Sequence, residues 1–255
     1  KKGLLLHLLI LLLISNSLFG SLQIGIDSVD IMHPLDSLEP KMRQLNSLGF
    51  QYYQDGDFFK ADSVWTISLR INRKLYTDSD EESNIAGNYV NLGVANLKLW
   101  NYEYALELFD KAEKIFLNIN ETHPYLGAIY VNKAIIFNAL RDFDKALLYF
   151  EQAIDHYKNQ DKISYESLYR AYRNLANLYS FTNRFTKAIE CIETGILYDK
   201  SKSTSRLIDY YNMSAYFNSK LGNYESAESF YSKALYLART HLLEDQVSHL
   251  PSIQM

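Results

Sequence analysis

An aromatic residue followed three positions later by alanine recurs five times along this chain, and that recurrence limits what it can fold into. The alanines are Ala61, Ala105, Ala146, Ala188 and Ala227, which stand 44, 41, 42 and 39 residues apart. Phe58, Tyr102, Phe143, Phe185 and Tyr224 precede them. Four residues after each alanine comes a bulky side chain, Trp65, Phe109, Phe150, Ile192 or Tyr231. Seven after it comes a small one, Ser68, Ala112, Ala153, Gly195 or Ala234, and twelve before it Gly49, Gly93, Ala134, Ala176 or Ala215. Within one unit, Arg141 to Tyr157, the apolar residues Phe143, Ala146, Leu147, Phe150, Ala153, Ile154 and Tyr157 fall at spacings of three and four. They line one face of a helix. A single such face has nothing to bury against, whereas stacked copies form a continuous core.

The sequence therefore predicts an all-α protein built of helix-turn-helix repeats. The segments QDGDF (54–58), KLWNY (98–102), ALRDF (139–143), FTNRF (181–185) and KLGNY (220–224) read as turns, because Asp, Asn and Gly suit a tight turn and the start of a second helix. Small residues at fixed places let two helices approach closely while bulky ones fill the groove between them. Only 10 Gly and 4 Pro interrupt the chain, at a hydrophobic content of 47%. That composition rules out general disorder. A net charge of −4 leaves no basic stripe, which argues against nucleic acid as a partner. The single cysteine, Cys191, excludes an internal disulfide framework.

The columns resemble the tetratricopeptide repeat, whose signature is W-x2-L-G-x2-Y, then Ala, then Phe. The first unit carries Leu45, Leu48, Gly49, Tyr52, Ala61, Trp65 and Ser68 in that order, and the second Tyr89, Leu92, Gly93, Ala105, Phe109 and Ala112. The resemblance spans residues 42–242 and implies a right-handed α-solenoid of about five repeats. Two departures stand out. The period here is 39 to 44 residues against about 34 for the family. The proline expected near the end of each second helix is replaced by Arg73, Leu117, Lys158, Lys200 and Arg239. Without that stop the second helices can run on, which accounts for the longer period. Long units with His-Pro at a junction, as at His123-Pro124, are similar to those of kinesin light chains and of bacterial arrays attached to sensor or caspase-like domains. Lys133 and Ser214 occupy positions where the pattern expects leucine, so their helices should pack less tightly or meet something polar.

Outside the repeats, residues 1–20 place two lysines before an apolar run from Leu4 to Ile14. They read as a secretory signal peptide, and the run is shorter than the roughly 20 residues a membrane span requires. Export to a bacterial periplasm, or association with a membrane there, is the expected location. Residues 21–41, with Pro34 and Pro40, read as a linker or irregular cap, and 243–255 as the start of a further, truncated repeat. Because the sequence opens on Lys1 and shows no polar capping helix, a start before Lys1 and an effector domain beyond Met255 are expected.

Function is expected to be protein binding without catalysis or a cofactor. In the family it resembles, the first helix of each unit lines the concave surface. Asn91, Asn132 and Asn174 recur there two residues before the small column, 41 and 42 residues apart. An amide can both donate and accept, so such a ladder could hold an extended peptide backbone. The alternative is that each Asn bonds to the neighbouring repeat and only maintains stacking. Arg170 and Arg173 could meet a carboxylate, or form a solvated face with Glu166 one turn from Arg170. Tyr89, Tyr130, Tyr172 and Tyr211 form a column expected to pack internally. Cys191 and the six histidines show no spacing that suits a catalytic dyad or metal site, and glycine-rich phosphate loops, H-E-x-x-H and nucleophile elbows are absent from the sequence.

Overall fold

The computed structural model describes residues 35–75, 82–162, 164–200 and 203–248. Among these residues there are ten α-helices and no strand. They are α1 (Leu35–Gln54), α2 (Phe58–Leu75), α3 (Glu82–Lys98), α4 (Tyr102–Ile119), α5 (Tyr125–Ala139), α6 (Phe143–Lys158), α7 (Tyr165–Phe181), α8 (Phe185–Tyr198), α9 (Thr204–Lys220) and α10 (Tyr224–Ser248). The chain divides into two compact units after Leu108, inside α4. The expected signal peptide lies outside the described residues.

Each pair of helices is closed by the same turn. The backbone N–H of the residue that opens the second helix donates to a carbonyl five residues earlier, as Asp57 to Tyr52, Asn101 to Asn96, Asp142 to Phe137, Arg184 to Tyr179 and Asn223 to Asn218, at 2.8 to 3.0 Å. Satisfying the last carbonyls of the first helix in this way requires a left-handed residue just before the donating residue that opens the next helix. Gly56 and Gly222 take that position at φ +80°, while Trp100, Arg141 and Asn183 take it with side chains at φ 64°, 62° and 56°. A Cβ in this region costs about 1 kcal/mol. Arg141→Gly is therefore expected to stabilise the protein by about that amount, read as a rise in the thermal midpoint. Asp142 then starts α6, its carboxylate accepting from the Lys145 N–H at 3.2 Å.

The columns read from the sequence are the core. The alanines at 61, 105, 146, 188 and 227 are all buried, as are Trp65, Phe109, Phe150 and Ile192. In the first unit the Gly49 Cα lies so close to the Trp65 indole that a Cβ there would fall 2.2 Å from its Nε1. In the second unit Gly127 meets Tyr157 in the same way, at 2.4 Å from Cε1. Helices α6 to α9 form a continuous cluster there, including Phe150, Tyr157, Leu168, Leu175, Ile192 and Phe217.

Three expectations need correction. Residues 35–41 are helical, so the linker assignment for 21–41 fails at its end. Leu38 and Met42 are buried and pack with Leu45 against Ile67, Ile71 and Leu75 of α2. Pro40 is tolerated because it lies near the helix start, where its missing N–H forfeits a single bond. At the other end α10 runs unbroken through residues 243–248, which continue the fifth repeat instead of opening another. Tyr231, expected to fill a groove like its counterparts, is half exposed.

Lys133 does meet something polar. Its ammonium lies within the second unit between Asp110, at 2.5 Å, and Glu113, and 5.3 Å from the centre of the Tyr149 ring. Only 3% of its side chain is exposed.

Candidate protein-binding surface

The chain has two kinds of asparagine, and hydrogen bonding separates them. In the first unit Asn46 accepts from the Ser68 hydroxyl at 2.7 Å, and Asn88 donates to the same Ser68 oxygen at 3.5 Å. Asn96 donates to Asp62 at 2.6 Å and accepts from Asn101 at 3.1 Å. These amides tie helices together. Asn91, on the same α3 as Asn88 and Asn96, is half-buried, and among the described residues its side chain has no hydrogen-bond partner. The difference is one of helical phase: positions 88 and 96 turn inward and 91 outward.

The second unit repeats the pattern. Asn218 of α9 donates to the Ser214 carbonyl at 2.9 Å and accepts from Asn223. Asn132 of α5 and Asn174 of α7 occupy the position of Asn91 in their own repeats. Both are half-buried and, among the described residues, neither amide is bonded to the protein. Helices α5 and α7 pack against one another, so the two amides sit at equivalent points on neighbouring elements. Asn177, which the sequence reading missed, lies one turn beyond Asn174 on α7 and is also half-buried. Its counterparts are Ile135 and Tyr216, so no recurring column marks it.

Arg170 and Arg173 are both engaged. Arg170 pairs with Glu166 at 2.6 Å along α7, the solvated-face alternative, and Glu166 also meets Arg206 of α9 at 3.1 Å. Arg173 pairs with Asp209 of α9 at 2.5 Å, although its Nε–H does not aim along the hydrogen-bond direction. Asp209 also accepts from the Tyr169 hydroxyl at 3.1 Å. Burial, followed by the charge of Asp209, raises the Tyr169 phenol far above its ordinary value, so it stays protonated and donating. Arg173, Asp209 and Asn212 line one open cleft of ≈ 430 Å³ with Ser205, Arg206 and Ile208. Asp209 could not be found from sequence, because a lone carboxylate on a helix carries no pattern.

The tyrosine column packs internally. Tyr89 accepts from Arg73 in the first unit. In the second, Tyr172 stacks on Tyr198 at 6.0 Å, Tyr130 lies edge-on to His156 at 6.1 Å, and Tyr211 stacks on Phe230 at 6.1 Å. Cys191 is a mostly buried thiol; burial, then the charge of Glu190, pushes it up to about 12, so it carries no thiolate near neutral pH. Among the described residues no cluster of three His, Cys, Asp or Glu is placed to hold a metal ion, and no helix is long and apolar enough to cross a membrane.

The two histidines at the α4–α5 junction are structural. The His123 ring stacks on Phe116 at 4.0 Å and on Tyr125 at 5.7 Å. His156 of α6 places Nε2 3.0 Å from the His123 carbonyl, and Gln160 donates to the Thr122 carbonyl at 2.9 Å. Burial lowers both imidazole pKa values, and the charge of His156 lowers that of His123 further. The unfolded chain, with an ordinary value of about 6.5, then binds more protons than the folded one below that pH. Stability is complete above about pH 6.5 and is lost as pH falls toward the depressed folded values. The expected result is a thermal midpoint that drops between pH 7 and pH 5 in the native protein, with a flatter profile in His156→Gln.

Paired helices closed by one repeated turn, with buried small and bulky columns between them, define a helical-repeat protein. Models of the tetratricopeptide repeat match residues 84–159, 169–202 and 208–241, together more than half of the chain. The chain belongs to the tetratricopeptide repeat family, whose members generally bind other proteins. Its fold is similar to that of BtubC (BKLC) from P. vanneervenii, with a TM-score of 0.70 at 20% identity over 92% of this chain and 93% of that one. A putative kinesin light chain of Podosopora anserina with nearly identical TPR-like repeats gives 0.64 at 18% identity over 83% and 99%. MamA of Desulfovibrio magneticus RS-1 gives 0.52 at 18% over 78% and 96%. The response regulator aspartate phosphatase E of Bacillus subtilis (strain 168) is 32% identical over 114 residues, 44% of this chain. The match spans only 28% of that protein's length.

Proposed function

We propose that this protein is a non-enzymatic scaffold that binds peptide segments of other proteins on the concave face formed by the first helices of its repeats. One contrast carries the reading. Asn46, Asn88, Asn96 and Asn218 are bonded within the protein, whereas the amides of Asn91, Asn132 and Asn174, at one repeated position, have no bonded partner among the described residues. A half-exposed amide with free donor and acceptor can pair with the backbone of an extended chain whatever its sequence. Arg173, its charge already shared with Asp209, orients rather than anchors such a peptide, and Arg170, exposed and paired with Glu166, would add a second cation.

The test is an affinity capture from extracts using the native protein and Asn132→Ala/Asn174→Ala. Affinity for partners held by the ladder should fall roughly thirty-fold in the double variant, given about 1 kcal/mol for each of the two lost hydrogen bonds. Unchanged capture of every partner, with unchanged thermal stability, would refute the ladder. Neither substitution should alter the thermal midpoint by much, since neither amide supports the fold.

A second reading places this array as the sensory or repeat region of a larger protein whose effector, a kinase, a DNA-binding module or a caspase-like peptidase, follows Met255. Residues 1–20 support export to a bacterial periplasm through their lysine pair and short apolar run. Recovery of intact residues 1–20 on cytosolic protein would overturn the export proposal. The phosphatase activity named for the Bacillus relative is not carried over, because the likeness spans a little over a quarter of that protein.

A further inference from the structure

On the first helix of every repeat, the residue eleven positions before the signature alanine stands one turn beyond the amide column, toward the tight turn that closes the helix pair. Phe50, Val94, Ile135, Asn177 and Tyr216 occupy it, apolar or aromatic in four repeats of five. One further turn along, seven before the alanine, stand Gln54, Lys98, Ala139, Phe181 and Lys220, and all five are exposed. That column faces solvent in inner and outer repeats alike, so its exposure owes nothing to where the described chain starts or stops. Phe181 is the one large apolar side chain in it, and it is 71% exposed. The fold does not call for a phenyl ring there, since the other repeats close the same turn without one.

Within the second unit the first helices are ordered alike from end to end. On α7, Glu166 and Arg170 come first, then Asn174 and Asn177, then Phe181, at spacings of three and four that keep them on one face. On α9, Asp209 precedes Asn212, and Tyr216, 43% exposed, follows. On α5, half-buried Ile135 follows Asn132. Each second helix returns the chain, so α5, α7 and α9 run in the same direction. The groove they form has a polar flank along the starts of α7 and α9, amides along its middle and an apolar flank along the turns. Those turns, residues 139–143, 181–185 and 220–224, are all described. The polar flank is balanced in charge, Arg170 being paired with Glu166 and Arg173 with Asp209.

We propose that the segment received by this groove is an extended one with apolar side chains at every second position, which seat against Ile135 and Phe181, and polar side chains between them, which face the ion pairs of α7 and α9. The proposal rests on the amide ladder and names what the ladder selects. Amides pair only with a backbone whose N–H and C=O groups are free, which a helix bonds internally and an extended chain does not. Successive side chains of an extended chain point to opposite sides. A chain laid along the amides, across the helices, therefore turns every second side chain to the apolar flank and the rest to the polar one. Because the polar flank is neutral, apolar contacts and not net charge discriminate among segments.

Titration of the full chain with two synthetic peptides of one composition tests the proposal. One has leucine at every second position with serine, lysine and glutamate between, and the other has the same residues with its leucines adjacent in pairs. The alternating peptide should bind at least roughly ten-fold more tightly, since it alone places all its leucines on the apolar flank. Phe181→Ser should remove most of that preference at an unchanged thermal midpoint, because a ring so exposed adds little to the core. Added salt should change the affinity little, and Asn132→Ala/Asn174→Ala should weaken both peptides alike. Equal affinity for the two peptides, or a preference untouched by Phe181→Ser, would overturn the proposal; if the asparagine variant still weakened both, the ladder would stand without it. A steep fall in affinity with salt would also overturn it, marking charge as the feature recognised. If neither peptide binds the native protein, this proposal and the ladder fail together.

Discussion

Gly49→Ala is expected to destabilise the first unit by about 2 to 3 kcal/mol, although alanine is the better helix former by about 1 kcal/mol. The added methyl would fall 2.2 Å from Trp65 Nε1, and the indole, 1% exposed and fixed by a 3.4 Å hydrogen bond to the Asn46 carbonyl, has no room to yield. The third repeat shows what removes the conflict: there Ala134 stands in place of Gly49 and Phe150 in place of Trp65, both buried. Trp65→Phe alone should cost about 1 to 2 kcal/mol through the space it leaves. The double variant Gly49→Ala/Trp65→Phe should be clearly more stable than the sum of its parts, since the methyl enters that space. Chemical denaturation of the four proteins gives the coupling. Strict additivity would mean that glycine and indole are not in the contact described.

Lys133→Ala is expected to cost about 3 kcal/mol in the second unit. The ammonium is held by Asp110 and Glu113, and its alkyl stem is packed beside Tyr149. Alanine removes both the charge pairing and the packing. Lys133→Leu should cost much less: it supplies the residue expected at this column, and the carboxylates left behind, 66% and 21% exposed, can rehydrate. Burial works against the lysine charge, but the hydrogen bonds to Asp110 and Glu113 prevail and raise its pKa above the ordinary value. The contribution of this ion group is thus complete below about pH 10.4 and is lost as pH rises through the folded value. A base titration of stability should show that loss in the native protein and not in Lys133→Leu.

The repeats were legible because packing imposes periodicity. Any residue that must fit between two helices in every repeat recurs at the same place, as Ala61, Ala105, Ala146, Ala188 and Ala227 do. The start of α1 was masked by Pro34 and Pro40, although Leu35, Leu38, Met42 and Leu45 already follow spacings of three and four. At the candidate surface the sequence located the asparagine column. It could not separate amides that bond from amides that do not, because Asn88 and Asn91 lie three residues apart on one helix and differ only in the direction they face. Arg173 was visible; its partner Asp209 was not, since the pair joins α7 to α9 across 36 residues of chain with no period to announce it.

By itself, then, the sequence determined the helical-repeat class, the positions of the turns and the identity of the buried columns, all consequences of one packing problem solved five times. The tertiary structure alone decided which glycine is obligatory, how Lys133 is neutralised, and where the pattern stops being buried. Those outcomes depend on the particular neighbour a side chain meets, and a neighbour on another helix leaves no trace in local spacing. Leu48 and Tyr231 obey the repeat in sequence as well as any inner residue; only the fold reveals that each stands at a face with no described neighbour to cover it.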